Sequence, residues 1–285
     1  MQSNITCIYH KDCIDGTTAA AVVLKKFPNA HVFPLAHGCT QADIQEILDV
    51  TSLEGHIYIV DSAIGLSEIV SQGYTVTVID HHISEYERVA EFAKMHPSVT
   101  YIFDNAKSGA SLTWAYFFPN EPALDLITHV EDNDLWTQKY PDATEFVANY
   151  LSLERNNPHR IRELFEENIE EIKKHGEILS VYIRSEIDRL ILAEPLNFIA
   201  GEYTFPIYNI TDHQTVCGNI LARQRDVAVG MYTILGDEVK FSFRSLDTHE
   251  PSALMLAEIL GGGGHKKAAG ARIPLHDFVK NIIRP

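Results

Sequence analysis

The chain has 285 residues, and at about 150 residues per domain that length implies about two domains. With 45% hydrophobic and 22% charged residues it has the composition of a globular protein able to build a core. Lys and Arg number 23 against 39 Asp and Glu, and the net charge of −16 argues against a broad basic grip on long duplex DNA or an anionic membrane. A small anion held by a metal or a local pocket stays open.

Cys7, Cys13, Cys39 and Cys217 include no CxxC pair, which argues against a zinc knuckle or a disulfide framework and for reduced thiols. The apolar stretch 18–24 follows polar residues 11–15 and runs into Lys25 and Lys26, so it does not read as a secretory signal. No uncharged run approaches the roughly 20 residues of a membrane span. The expectation is a soluble cytoplasmic protein with no membrane partner.

In the first half, residues 5–10, 32–37, 56–62, 75–82 and 99–103 read as strands, and 17–27, 41–50, 67–72 and 85–95 as helices between them. This alternation predicts an α/β fold with a parallel sheet and helices on both faces. Strands apolar on both sides, such as Ile57-Tyr58-Ile59-Val60, agree with a doubly covered sheet. The stretch from Ile127 to Trp136 and beyond looks helical. A long amphipathic run then starts at Asn157-Pro158 and extends to about Ala193, with Gly176 as a candidate kink and Glu194-Pro195 as its end. Residues 203–210, 227–235 and 239–245 read as strands, with Gly236-Asp237 as a hairpin turn, and 252–260 as a helix closed by four glycines. A final strand near 271–274 and a helix near 275–283 complete a smaller C-terminal α/β domain. The expected organisation is a catalytic domain over 1–155, a connecting helix over 156–194 and a substrate domain over 195–285.

Ligands bind at the carboxyl ends of parallel strands. There the chain places His10, Asp12 and Asp15 after the first strand, Asp61 after the third and Asp80-His81-His82 after the fourth. A further acidic cluster, Glu131-Asp132-Asn133-Asp134, interrupts an apolar context. A single Asp after a strand is commonly a helix cap, and adjacent histidines are commonly structural. Convergence of these residues on one edge points to chemistry instead. Clustered carboxylates repel unless cations neutralise them. Mixed carboxylate and imidazole donors favour Mn2+ over Mg2+ or Zn2+, and so many carboxylates suggest two ions sharing one bridge. The helix start after Gly16 points its positive end at the same edge, which suits phosphate.

The ordered set His10/Asp12/Asp15, Asp61, Asp80-His81-His82 and Asp132/Asp134 resembles the four motifs of the DHH phosphoesterase superfamily. The run from Gly261 to Gly270, Gly-Gly-Gly-Gly-His-Lys-Lys-Ala-Ala-Gly, resembles the signature of its DHHA1 substrate domain. The most similar branches are the small nano-RNase-like and exopolyphosphatase-related ones. The resemblance implies a bimetallic, usually Mn2+-dependent phosphoesterase in which Asp61 bridges the ions. Asp15, His81 and Asp132 would complete one ion's shell and His10 would bind the other. His82, beside Asp80, would contact the phosphate or support the metal shell. One departure stands out. The family form His-x-x-Asp-x-Asp has Cys13 in its first aspartate slot, with Asp12 one place earlier. Asp12 ligates after a small backbone shift, or Cys13 ligates as thiolate, or that position is weakly filled; Asp12 is slightly favoured.

The glycine run admits two accounts, a helix cap with a hinge or a set of backbone N–H groups approaching an anion. The resemblance favours the second, with Gly262, Gly263, Gly264, His265 and Lys266 gripping substrate and Lys267 adding positive charge. Arg244, at the end of its strand, is a candidate bidentate phosphate ligand. His37 reads as structural, Asp104 and Ser108–Ser111 as support for the site, and Trp114, Tyr116, Phe117 and Phe118 as core. The expected function is hydrolysis of short oligonucleotides or small nucleotides by metal-activated water, as an exonuclease or oligoribonuclease acting in a cleft between the domains. The alternatives are a polyphosphate or pyrophosphate hydrolase and a non-catalytic nucleotide sensor. A homodimer is left open.

Overall fold

The computed structural model describes residues 5–36 and 38–283. The chain divides into two compact units, Met1–Ser180 and Val181–Pro285, so the division falls at Ser180/Val181, inside the long helix expected to bridge two domains.

In the first unit the elements alternate as expected: β1 (Ile5–His10), α1 (Ile14–Lys26), β2 (His31–Leu35), α2 (Gln41–Asp49), β3 (His56–Val60), α3 (Leu66–Ser71), β4 (Thr75–Asp80), α4 (Ile83–Met95) and β5 (Val99–Phe103). Five helices follow, α5 (Gly109–Phe117), α6 (Asp125–Asp134), α7 (Pro141–Leu151), α8 (Pro158–Leu164) and α9 (Ile169–Leu190). The strands lie in the order β2-β1-β3-β4-β5, and all are parallel. The chain leaves β1 to one side and returns to β3 on the other, so the strand order reverses between β1 and β3. A crevice opens at such a switch point.

Side chains alternate between the sheet's faces, as strand geometry requires. Cys7, Tyr9, Tyr58, Val60 and Ile79 join one core with α1 and α5, while Ile8, Ile57, Ile59, Val76 and Val78 join another with α2 and α3. Helix α1 is buried from Asp15 to Leu24, which is why that stretch lacks the polar stripe of a surface helix. The single long helix expected after Asn157 is two helices. Asn168 restarts the chain as α9 by accepting from Glu170 N at 2.9 Å. Helix α9 runs unbroken through Gly176. This glycine allows the helix to approach the α7 backbone, where a Cβ would fall 1.8 Å from the Phe146 carbonyl oxygen.

The second unit contains β6 (Leu196–Ala200), β7 (Tyr203–Tyr208), α10 (Gln214–Arg225), β8 (Val229–Leu235), β9 (Glu238–Arg244), α11 (Ala253–Ile259), β10 (Gly263–His265), β11 (Ala268–Pro274), α12 (Leu275–Asn281) and β12 (Ile282–Ile283). Its sheet runs β10-β11-β9-β8-β7-β6-β12 and is antiparallel except for β7-β8. Gly236 and Asp237 form the expected two-residue turn between β8 and β9. No helix among the described residues is long and apolar enough to cross a membrane.

Candidate metal centre

Three strand ends deliver the chemistry of the first unit. β1 ends at His10, Asp61 follows β3, and β4 ends at Asp80 with His81 and His82 next. Asp61 N donates to Ile79 O at 2.9 Å, and the residue then adopts φ 58°, a left-handed conformation uncommon for a side chain of this kind. Such strain persists where the surroundings over-determine it. The carboxylate is 1% exposed, with Oδ1 3.2 Å from His81 Nε2 and Oδ2 3.6 Å from His10 Nδ1.

Asp15, in the first turn of α1, is 2% exposed. Its Oδ2 accepts from Gly109 N at 2.6 Å and its Oδ1 from Ala110 N at 2.9 Å. The positive end of α5 therefore orients this carboxylate. Ser108 and the Asp104 turn lead into that helix start, and Ser111 Oγ and Ser108 N both donate to Glu131 Oε2, tying it to α6. The approach is so close that a Cβ on Gly109 would lie 2.7 Å from Asp61 Cβ and 2.9 Å from Asp15 Oδ2.

His81 Nε2 sits among three carboxylates, 3.2 Å from Asp61 Oδ1, 3.5 Å from Asp134 Oδ2 and 3.8 Å from Asp15 Oδ2. Burial alone would lower the pKa of His81, but the Asp61 hydrogen bond and the charges of Asp15 and Asp134 push it up to about 9. Burial raises Asp15, and the charges of Asp61 and Asp134 raise it further. Burial and Asp61 likewise raise Asp134 despite the pull of His81. Asp61 moves the other way: the neighbouring His10 and His81 imidazoles outweigh burial and hold it below the usual carboxylate range. Three carboxylates thus share one imidazolium, the arrangement expected where a cation belongs.

The donor set fits a divalent metal. Ligand atoms within 4.8 Å of one another form three overlapping groups: Asp61, Asp80, His81 and His82; His10, Cys13 and Asp61; and Asp15, His81 and Asp134. Asp61 Oδ2 and Asp80 Oδ2 are buried with no hydrogen-bond partner, an arrangement that is costly unless something charged satisfies them. The other oxygen of Asp80 accepts from His82 Nδ1 at 2.7 Å and from His81 N at 2.8 Å, and the bond to His82 raises that residue's pKa.

Two expected ligands stand elsewhere. Asp12, at φ 59°, turns to Asn156: its Oδ1 accepts from Asn156 Nδ2 at 2.5 Å and its N–H donates to Asn156 Oδ1 at 2.8 Å. Cys13, which precedes α1, occupies the slot, and burial followed by the charges of Asp61 and Asp15 pushes its thiol up. Asp132 is 4% exposed and accepts from Thr137 Oγ1, from Lys139 N at 2.9 Å, from Tyr140 N at 3.1 Å and from Thr144 Oγ1 at 2.6 Å. These bonds outweigh burial and keep its carboxyl well below the usual range. Residues two apart on a helix face nearly opposite ways, so only one of this pair can meet the strand ends, and it is Asp134.

In the second unit the glycine run divides. Gly261 N bonds Glu258 O at 3.0 Å and Gly262 N bonds Ala257 O at 2.8 Å, closing α11. The Gly262 N–H is thereby committed to the cap rather than to an anion. Gly263, Gly264 and His265 form exposed strand β10 against β11. Arg244 Nη2 donates to Thr215 Oγ1 at 2.7 Å and Nη1 to Phe243 O at 2.8 Å. It lines a cavity of about 650 Å³ with Thr215, Asn219, Arg223 and Lys267. Lys266 is not among the lining residues; its Nζ donates to Asp247 O at 3.0 Å. Asn156, Thr215 and Arg223 had no motif to mark them, and Arg223 lies on α10, which no pattern predicted. His37 lies outside the described residues.

No protein-family model matches the sequence. The chain is 27% identical over 286 residues to the uncharacterized protein R106 of Acanthamoeba polyphaga mimivirus, an alignment covering 92% of this chain and 66% of that protein. The chain thus spans a little under two thirds of that relative's length. Among solved structures it is similar to the exonuclease RecJ bound to manganese, with TM-score 0.54, 16% identity, and 97% of this chain and 87% of that chain covered. It is also similar to PggH, a pGpG-specific phosphodiesterase from Vibrio cholerae, with TM-score 0.52, 16% identity, and 97% and 95% covered. RecJ of Thermus thermophilus in complex with Mn2+ gives TM-score 0.53 at 15% identity, covering 97% of this chain and 50% of that chain. The chain shares the α/β fold of these proteins.

Proposed function

We propose that this chain is a metal-dependent, DHH-type phosphoesterase that hydrolyses short oligonucleotides or small nucleotides. The observation that carries this reading is the meeting of His10, Asp15, Asp61, His81 and Asp134 at the carboxyl edge of the parallel sheet, where Asp61 stands beside His10 and Cys13 on one side and His81 joins it to Asp15 and Asp134 on the other. Asp61, Asp15, His81 and Asp134 would hold one divalent ion, and Asp61, His10 and Cys13 a second. Bound there, Mn2+ or Mg2+ supplies Lewis acidity and offsets the charge that grows on phosphoryl oxygens.

The remaining chemistry belongs to the side chains. Asp61 and Asp15 are fixed by His81 and by the start of α5, so the donors need no reorganisation when a ligand arrives. Asp80 accepts from His82 Nδ1, which sets the ring's orientation and favours its charged form. His82 is thereby suited to meet a phosphate oxygen or to give a proton to the departing oxygen from Nε2. Arg244 offers a planar fork for a terminal phosphate, with Arg223 and Lys267 beside it in the same cavity.

The acidic balance of the chain favours short substrates over long polyanions. The fold shared with a phosphodiesterase named for pGpG supports a dinucleotide-sized ligand. A second reading, hydrolysis of polyphosphate or pyrophosphate, draws support from the cavity around Arg244, whose lining among the described residues includes no aromatic ring for a base to stack on. Purified protein incubated with Mn2+ and a panel of dinucleotides, longer oligomers, 3′-phosphoadenosine 5′-phosphate and polyphosphate separates the two. Turnover that disappears with chelator and in Asp61→Ala is expected. Full activity in that variant refutes the assignment, and tight binding without turnover under any divalent ion makes the protein a sensor.

A further inference from the structure

Two donor groups that meet through the 3.2 Å contact between Asp61 and His81 differ in kind. Asp15, His81 and Asp134 bring oxygens and one imidazole nitrogen, whereas His10, Cys13 and Asp61 bring nitrogen, sulfur and oxygen. The neighbouring carboxylate cannot substitute for the sulfur, because Asp12 is held by Asn156 on both its side chain and its backbone. The atom in this group without a hydrogen bond is Asp61 Oδ2, on a side chain 1% exposed and aimed at His10 from 3.6 Å. A buried anionic oxygen without a hydrogen bond, beside an imidazole and a thiol, is a place prepared for a cation. Thiolate ligands select Zn2+ and its borderline relatives, while Mn2+ and Mg2+ prefer carboxylate and water.

We propose that Cys13 is a metal ligand and that the His10–Cys13–Asp61 position takes a Zn2+-class ion, while the position formed by Asp15, Asp61, His81 and Asp134 keeps a hard ion such as Mn2+. This rests on the metal-centre reading above and adds that the centre is a mixed-metal one. Two like ions are then not its natural content, and an assay supplied with Mn2+ alone fills it incompletely.

The test uses the full chain stripped of metal and titrated with Co2+, Zn2+ or Mn2+, beside Cys13→Asp and Cys13→Ser. Co2+ should give a thiolate-to-cobalt charge-transfer band in the near ultraviolet in the parent and in neither variant. Elemental analysis should find one Zn2+ bound ahead of one Mn2+. The preference for Zn2+ over Mn2+ at that position should fall by at least about tenfold in Cys13→Asp, the scale on which changes around a metal alter affinity. Zn2+ should also protect Cys13, but not half-buried Cys39, from alkylation. The parent alone supplies the band and the alkylation pattern should a variant fail to fold. Co2+ bound without the band, or an unchanged Zn2+ preference in both variants, overturns the thiolate assignment and leaves the metal centre standing. Failure of all three ions to bind the parent overturns the metal centre itself.

Discussion

Substituting Asp132 and Asp134 separately distinguishes two carboxylates that a motif alone treats alike. In Asp132→Asn one acceptor oxygen becomes an NH2. It must then face either Lys139 N–H, now 2.9 Å away, or Tyr140 N–H, now 3.1 Å away, while the neighbouring threonine hydroxyl can rotate to accept. One backbone donor loses its partner inside the protein, which costs about 1–3 kcal/mol, and the surviving bonds lose their charge assistance, for a total of about 2–4 kcal/mol. Against the 5–15 kcal/mol typical of a domain, that is a large fraction. Asp134→Asn has the opposite signature. Its side chain is 25% exposed and its carboxyl is raised by burial and by Asp61, so removing the charge relieves repulsion. Stability of the metal-free protein should stay within about 1 kcal/mol of the parent or rise, while affinity for divalent metal drops by at least about tenfold. Urea unfolding followed by tryptophan fluorescence reads the first unit selectively, because Trp114 and Trp136 both lie in it. Calorimetric titration supplies the metal affinities. An Asp132→Asn protein that unfolds like the parent but binds no metal, beside an Asp134→Asn protein that binds normally, would refute the assignment.

Gly109→Ala places a methyl group 2.7 Å from Asp61 Cβ, which should cost about 1–3 kcal/mol. By displacing two carboxylates it should also lower turnover about a hundredfold, measured against the panel substrate; wild-type kinetics would show that the close approach does not matter. The metal-free protein should lose stability as the pH rises from 6.5 to about 9, because His81 is raised over that interval and its contribution is complete below it and gone above it. Asp15 is also raised and acts in the same direction, whereas the depressed Asp61 matters only on acidification. Urea midpoints across that window should fall, His81→Gln should flatten the decline, and a flat parent profile would contradict the electrostatic picture. Arg244→Lys loses the fork and should raise KM for substrates with a terminal phosphate by about tenfold with a smaller change in kcat; steady-state kinetics on capped and uncapped substrates would reveal an equal effect on both if the residue is only structural.

The sheet was legible because β-branched runs have only one comfortable home, and β1 and β5 begin and end where the pattern does. The strands read too long at 61–62 and 81–82 because nothing in the letters announces that Asp61 turns to a positive φ. Helix α10 was hidden because polar Gln214, Arg223 and Arg225 are spread around it instead of sharing one face, and β6 by its position just after Pro195. The metal ligands were legible as a neighbourhood and not as a list. The decision between Asp12 and Cys13 depends on a left-handed turn stabilised by Asn156, which is 144 residues away. The decision between Asp132 and Asp134 depends on which face of α6 the turn at 137–140 and the first turn of α7 cover.

The same geometry that makes the site a metal centre makes it a poor place to be without one. Burial and mutual repulsion raise the carboxyls of Asp15 and Asp134, and the stability of Asp61 as an anion rests on His10 and His81. In the metal-free protein, His81 Nε2 stands within 3.8 Å of oxygens from three carboxylates and acts as the cation. A divalent ion held by those oxygens must displace that proton, since an imidazole ligates through an unprotonated nitrogen. Proton and metal therefore compete for one position, and metal affinity should weaken steeply as the pH falls below the raised value of His81, about 9. Binding measured in buffers of different ionisation enthalpy counts the protons released. Release of about one proton at pH 7 is expected from His81, and none at all would mean that the imidazole is neutral and the carboxylates are held apart by something else.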